Sequence, residues 1–201
     1  MEQQFMKTAF FDFDGVVVDT EPIYDIYWNE AGERYQTGIP NFASHIKGTT
    51  LPYILDKYFS DRSEEFKEMV TRESMDFEQK MPFPPVPGAM EFIHLLKGKG
   101  VKVGLVTSSD NAKLERAFRL LKLDNLFDTV VSADRITKGK PDPMCYQLAA
   151  SDLHVSPADC LVFEDSFAGI QAGTNAGMRV IGLSTTNSEE SLKDKVYQVC
   201  L

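Results

Sequence analysis

The sequence predicts an α/β fold, a parallel sheet between two layers of helices, interrupted after its first strand by a helical insert. Three observations predict it. Short runs that are apolar on both faces recur along the chain, as in strands covered on both sides of a parallel sheet. Between them lie stretches with one apolar stripe at helical spacing, and such alternation implies right-handed crossovers within one open sheet. From Asp19 to about Pro82 the alternation stops and only helical patterns remain.

Taken in order, residues 8–13 (Thr-Ala-Phe-Phe-Asp-Phe) form the first buried run, which ends abruptly at Asp14-Gly15. Residues 23–35, 51–59 and 64–80 read as amphipathic helices, with turns around 38–40 and 48–50. Residues 81–87 hold four prolines in seven positions, the mark of a stiff, extended return linker. Residues 89–97 carry Met90, Ile93 and Leu96 on one face, starting after Pro87-Gly88 and stopping at Gly98. Residues 111–121 place Leu114, Ala117, Phe118 and Leu121 in one stripe, with Ser109 or Asp110 as the N-cap. Helices over 143–153 and 167–176, the second capped by Ser166, and strands over 101–106, 129–131, 160–163 and 179–183 complete the pattern. The expected organisation is a Rossmann-like three-layer core of residues 1–18 and 84–201. A helical domain of residues 19–83 is inserted into it, with hinges near 14–20 and 81–87.

Composition narrows the function. The 201 residues carry 21 Lys and Arg against 30 Asp and Glu, a net charge of -9, with no basic run. Such a field repels a phosphodiester backbone, so nucleic acid is not an expected partner. No apolar stretch approaches the roughly 20 residues that span a bilayer, and Met1-Glu-Gln-Gln does not open like a secretory signal. Cys145, Cys160 and Cys200 are odd in number and lack a C-x-x-C, which fits a reduced, cytoplasmic protein without disulfides or structural zinc. His45, His94 and His154 are scattered without metal-ligand spacing. A monomer is expected.

The chemistry gathers at the predicted strand ends. Asp12-x-Asp14-Gly15 closes the first strand, where residues two apart project to the same side and parallel sheets place their ligands. Two carboxylates so close repel unless a cation or a shared proton relieves them. One could instead cap the next turn. The second strand runs into Thr107-Ser108-Ser109, hydroxyls and N–H groups at a helix start, suited to a phosphate but equally to ordinary capping. After the third strand comes Lys140-Pro141, with Lys140 biased toward extended backbone. The fourth strand ends in Glu164-Asp165-Ser166, oxygen donors that suit a hard cation, although Asp165 could equally serve a helix start. Four such elements in order on successive strand ends are hard to assign to chance.

Together these motifs resemble those of the haloacid dehalogenase-like superfamily, over residues 7–183. Room for a helical cap between Asp12 and Thr107 makes the chain similar to the β-phosphoglucomutase and sugar-phosphatase subgroup. The resemblance implies Asp12 as nucleophile forming an aspartyl phosphate, and Asp14 as general acid and then base. It implies magnesium held by the Asp12 carboxylate, the Asp14 carbonyl and Asp165, with Glu164 close by or acting through water. Thr107, the Ser108 N–H and Lys140 would grip the phosphoryl group. A dehalogenase lacks the second aspartate, so phosphoryl transfer from a small phosphorylated metabolite is the implied reaction.

Within the subgroup the insert discriminates. Lys47 and Gly48 match the mutase cap loop and Asn111 a mutase-like polar position, but Leu51 stands where a phosphate-gripping arginine is expected and Tyr24 where a histidine is. Losing a bidentate guanidinium weakens the hold on a second phosphate. The sequence therefore reads as a phosphatase of sugar phosphates, with Lys47, Asn111 and Tyr24 as candidate substrate contacts and a hexose-phosphate mutase as the alternative. A non-catalytic sensor would have little reason to keep every chemical group.

Overall fold

The computed structural model describes residues 7–47 and 49–200. The chain divides into two compact units. One is built from the residues up to Asp19 together with those from Phe83 onward, and the other spans Thr20–Pro82.

The first unit is the α/β core. Its strands are β1 (Thr8–Phe11), β2 (Lys102–Val106), β3 (Thr129–Val131), β4 (Cys160–Glu164), β5 (Arg179–Leu183) and β6 (Gln198–Cys200), in spatial order β3-β2-β1-β4-β5-β6. Every pairing is parallel. This is the doubly wound order, in which the chain reverses direction across the sheet between β1 and β4. The three-layer expectation holds. β6, an edge strand, is not among the expected strands, because Gln198-Val199-Cys200, exposed or half-buried throughout, lacks the buried apolar run that marks the others.

The physical reason for β1 at the centre lies in its side chains, all of them buried. Phe10 packs toward Tyr146, with ring centroids 6.4 Å apart, while Phe11 stacks on Phe163 at 4.7 Å and meets Phe92 edge-on at 6.2 Å. β2 accommodates the Phe10 ring through Gly104, where a Cβ would lie 2.8 Å from that ring and from Thr129. Register then sets the site. Phe11 pairs with Leu105 on one side and Phe163 on the other, so the C-terminal ends of β1, β2 and β4 are level.

The core helices are α5 (Ala89–Gly98), α6 (Asn111–Leu121), α7 (Met144–Asp152), α8 (Phe167–Asn175) and α9 (Glu189–Leu192). Asp110 caps α6 by accepting from the Lys113 N–H at 2.8 Å, and the Ser166 hydroxyl accepts from Gly169 N–H at 3.0 Å at the start of α8. The choice of Asp110 over Ser109 matters, because it leaves the Ser109 hydroxyl available for the site.

The linker prolines do something more specific than stiffen the chain. Asp19 N–H donates to Pro84 O at 2.7 Å and Val86 N–H to Val17 O at 3.0 Å, with an antiparallel bridge between Val18 and Pro85. The outgoing and returning connectors are clasped together.

The second unit contains α1 (Glu21–Arg34), α2 (Phe42–Ile46), α3 (Leu51–Tyr58) and α4 (Glu64–Glu78). Trp28, Ala31, Tyr35, Phe42, Ile54, Phe59 and Val70 form its core. Thr50 and Ser63 cap α3 and α4. α2 was not expected, since five residues are too few to display a helical period. Gly48 of the expected cap loop lies outside the described residues, as do Met1-Glu-Gln-Gln.

Candidate active site

Asp12 follows β1 directly and stays in the sheet, its N–H donating to Phe163 O at 3.0 Å. Asp12 is buried, and its carboxylate lies 3.0 Å from the Lys140 ammonium. Lys140 also reaches Glu164 Oε1 at 2.5 Å and Val106 O at 3.2 Å, so one cation ties together the ends of β1, β2 and β4. Burial pushes the Asp12 carboxyl up to about 7. Lys140 pulls against that rise, while Glu164 and Asp14 add to it. For Lys140 burial works downward, but the Asp12 and Glu164 carboxylates outweigh it and hold the ammonium above its ordinary range.

Glu164 is fully buried, and both its oxygens are in use. Oε1 accepts from Lys140 and, at 3.1 Å, from the Tyr146 hydroxyl. Oε2 accepts from the Asp165 and Ser166 N–H groups at 3.1 Å each and from the Ser166 hydroxyl at 3.0 Å. Gly169 makes this packing possible, because a methyl group there would overlap the Glu164 carboxylate. The side chain is thus committed to orienting Lys140 and the β4–α8 turn.

Asp165 is 2% exposed. It is held by a loop that the sequence reading missed. Thr186 Oγ1 donates to Asp165 Oδ2, Asn187 Nδ2 to Asp165 O at 2.8 Å, and Thr185 Oγ1 to Gly15 O at 2.6 Å. The signal was present: the Thr185-Thr186-Asn187 run follows β5 as the other motifs follow their strands. Gly15, at φ 76°, sits where a Cβ would overlap the Asp165 carboxylate.

Asp12, Glu164 and Asp165 each offer a carboxylate oxygen within 4.8 Å of the others. Three buried carboxylates beside one lysine leave excess negative charge, and an all-oxygen donor set suits a hard divalent cation such as magnesium. Among the described residues no histidine or cysteine joins such a group.

Asp14 is positioned by a turn beyond the strand, not by the strand itself. β1 ends at Phe11, and the chain then turns tightly, with the Val17 and Val18 N–H groups donating to Phe13 O at 2.9 and 3.0 Å. Strand alternation therefore does not orient Asp14. Its carboxylate accepts from the Ser109 hydroxyl at 2.8 Å and from the Lys113 ammonium at 2.7 Å to each oxygen. Lys113 was not anticipated. It lies in the first turn of an amphipathic helix, and the site-forming turn it meets is about 100 residues earlier in the chain.

Thr107 is buried beside Lys140's contact strand, and its hydroxyl accepts from the Ser109 N–H at 3.0 Å, while Ser108 is exposed in the same loop. Asn111 is exposed; its side chain accepts from the Ser132 hydroxyl at 2.7 Å, and its N–H donates to Asp134 at 2.7 Å. In the helical unit the Tyr24 hydroxyl donates to Glu78 at 2.8 Å. Lys47 lies 2.9 Å from Asp25 and 3.5 Å from Glu21.

The family model of the haloacid dehalogenase-like hydrolases matches residues 9–183. A phosphorylated carbohydrates phosphatase of Thermotoga maritima is 33% identical over 187 residues, 89% of this chain and 85% of that protein. A validoxylamine A 7'-phosphate phosphatase of Streptomyces hygroscopicus subsp. limoneus is 33% identical over 94% of this chain and 90% of its own length. A β-phosphoglucomutase of Bacillus subtilis is also 33% identical, over 89% and 83%. Among solved structures, a family IA, variant 3 HAD hydrolase of Entamoeba histolytica superposes with a TM-score of 0.84 at 25% identity, covering 97% of this chain and 92% of that one.

Proposed function

This chain belongs to the haloacid dehalogenase-like hydrolases, and within that family we propose that it is a magnesium-dependent phosphomonoesterase acting on a small phosphorylated metabolite, a sugar phosphate being the first choice. The observation that carries the reading is the Asp12 carboxylate 3.0 Å from Lys140, at the reversal point of the sheet and within 4.8 Å of the Asp165 and Glu164 oxygens. The site takes the shape of a nucleophile beside a phosphate-binding cation and a cation-binding carboxylate.

In this reading Asp12 attacks phosphorus, the bond to the leaving oxygen breaks, and Asp14 supplies that oxygen with its proton. Asp14 then takes a proton from the water that attacks the aspartyl phosphate, releasing inorganic phosphate and restoring Asp12. Lys140, the Ser108 N–H and Thr107 orient the phosphoryl oxygens. Asp12, the Asp14 carbonyl and Asp165 would hold magnesium, with Glu164 acting through Lys140. When bound, the ion supplies positive charge that offsets the crowded carboxylates and the phosphate dianion. The helical domain, residues 19–83, is read as the cap that selects the substrate, and the active species as a monomer.

The mutase remains the alternative because a β-phosphoglucomutase is as similar as the phosphatases. One observation weighs toward hydrolysis. Lys47, a candidate substrate contact of the insert, is already paired with Asp25 and Glu21, and Leu51 brings no charge where an arginine would grip a second phosphate. The test is turnover of p-nitrophenyl phosphate and a panel of sugar phosphates by the wild type and Asp12→Asn, with and without chelator. Phosphorus NMR scores free phosphate against isomerised ester. Phosphate release that vanishes with the substitution and with chelation is expected. Activity that survives either treatment refutes the mechanism, and isomer as the main product transfers the assignment to the mutase.

A further inference from the structure

Lys113 stands out as a cation that the proposed chemistry does not yet use. Its side chain is 5% exposed, on the same buried side of α6 as Leu114 and Ala117. An apolar residue would normally fill such a position, since a buried ammonium loses its hydration. The ammonium lies 2.7 Å from both Asp14 oxygens, and 6.0 Å from the centre of the fully buried Phe13 ring. The Ser109 hydroxyl supplies a third hydrogen bond to the same carboxylate at 2.8 Å. Three hydrogen bonds from two donor groups fix both the position of the carboxylate and its rotation about its last torsion.

Two buried lysines divide the acidic site between them. Lys140 serves Asp12 and Glu164, and Lys113 serves Asp14. With one divalent ion they offset the crowded carboxylates before a phosphate arrives.

We propose that Lys113 is the positioning residue of the acid–base catalyst, clamping Asp14 in one orientation at the leaving-group side of the site. The inference rests on the phosphomonoesterase reading, in which Asp14 moves the protons. Proton-transfer catalysts act only within hydrogen-bond reach, and small displacements of a reacting group are costly in rate. Lys113 acts through Asp14 and is not itself assigned a contact with substrate.

The test compares Lys113→Met, Lys113→Arg, Asp14→Asn and the Asp14→Asn/Lys113→Met pair on two substrates. Glycerol phosphate has an alkoxide leaving group that needs a proton; p-nitrophenyl phosphate has a phenolate that needs little. Lys113→Met is expected to lower kcat on glycerol phosphate about 30- to 100-fold, up to the low end of the range that acid–base catalysis supplies. KM should stay within about 3-fold, and kcat on the aryl ester should fall less than about 5-fold. Lys113→Arg should recover most of the lost rate. In the Asp14→Asn background Lys113→Met should add nothing, the non-additivity of residues acting as one unit.

Equal losses on both substrates, or independent losses that multiply in the double variant, overturn the clamp. So does Lys113→Met turnover of glycerol phosphate within about 3-fold of wild type while Asp14→Asn is crippled, and that outcome leaves the phosphatase reading standing. Full activity of Asp14→Asn on glycerol phosphate instead removes the acid–base assignment and the clamp with it. If Lys113→Met does not fold, Ser109→Ala removes a different donor from the same carboxylate. A loss confined to glycerol phosphate supports the clamp, and a uniform loss or none overturns it.

Discussion

Glu164→Gln is a small change in shape with a large expected cost. All five partners of the Glu164 carboxylate are donors: Lys140 and Tyr146 on Oε1, and Asp165 N–H, Ser166 N–H and the Ser166 hydroxyl on Oε2. Glutamine must put an NH2 group where one oxygen was. Placed at Oε2, it faces two backbone N–H groups that cannot turn away. Placed at Oε1, it faces the Lys140 ammonium. In either orientation Lys140 loses one of its two carboxylates in a fully buried setting. Breaking a buried ion pair from one side costs about 3–5 kcal/mol, a large share of the roughly 5–15 kcal/mol that holds a domain folded. At about 2–4 °C per kcal/mol for a chain of this size, Tm should fall by about 6–20 °C. Thermal unfolding followed by circular dichroism measures it, with Tyr146→Phe as an internal comparison. That variant removes one neutral donor and should cost only about 1 kcal/mol. A Glu164→Gln melt within about 2 °C of wild type would refute the claim that Glu164 is held as an ionised acceptor of five bonds.

Gly169→Ala drives a methyl group into the Glu164 carboxylate and should destabilise by about 1–3 kcal/mol through overpacking, read from urea unfolding, with activity lost in parallel as Lys140 shifts. Thr186→Val removes the hydroxyl that donates to Asp165. The expected result is a 10- to 100-fold rise in the magnesium concentration for half-maximal activity, the usual scale for a partner of a metal ligand. The burial-raised Asp12 carboxyl gives a pH signature in metal-free protein. The folded state keeps that proton up to about 7, whereas the unfolded chain releases it near 3.8. The unfolded state thus binds fewer protons between those values, and stability falls as pH rises through the window. Urea midpoints of wild type relative to Asp12→Asn should decline from pH 5 to pH 7 without metal. Added magnesium, which favours the ionised carboxylate, should stabilise more at pH 8 than at pH 5, and a rising metal-free difference would contradict the assignment.

What was legible in the sequence was chemistry written in consecutive residues. Asp12 and Asp14, Thr107 to Ser109, Lys140 and Glu164-Asp165 each terminate or follow a buried run, and level strand ends bring Asp12, Lys140, Glu164 and Asp165 together. Cross-chain partners were not legible. Lys113 belongs to a helix whose readable stripe is apolar, and its meeting with Asp14 depends on how α6 packs after β2. Thr186 reaches Asp165 from 21 residues away. α2 and β6 escape for a different reason: α2 is far shorter than the window in which a helical period shows, and β6 is an edge strand without a buried apolar run. β1 stops at Phe11, so a tight turn rather than strand alternation brings Asp14 to the same strand end as Asp12.

The clasp between residues 17–19 and 84–86 has a consequence for how this architecture can vary. It closes the excursion at its base, pairing the outgoing and returning connectors within the unit that holds the sheet. An excursion hung from such a stem can be lengthened, trimmed or exchanged for an unrelated module while the strand ends keep their register. Replacing it with a short glycine–serine bridge would yield a stripped platform whose reactivity toward unhindered esters reports what the platform alone contributes.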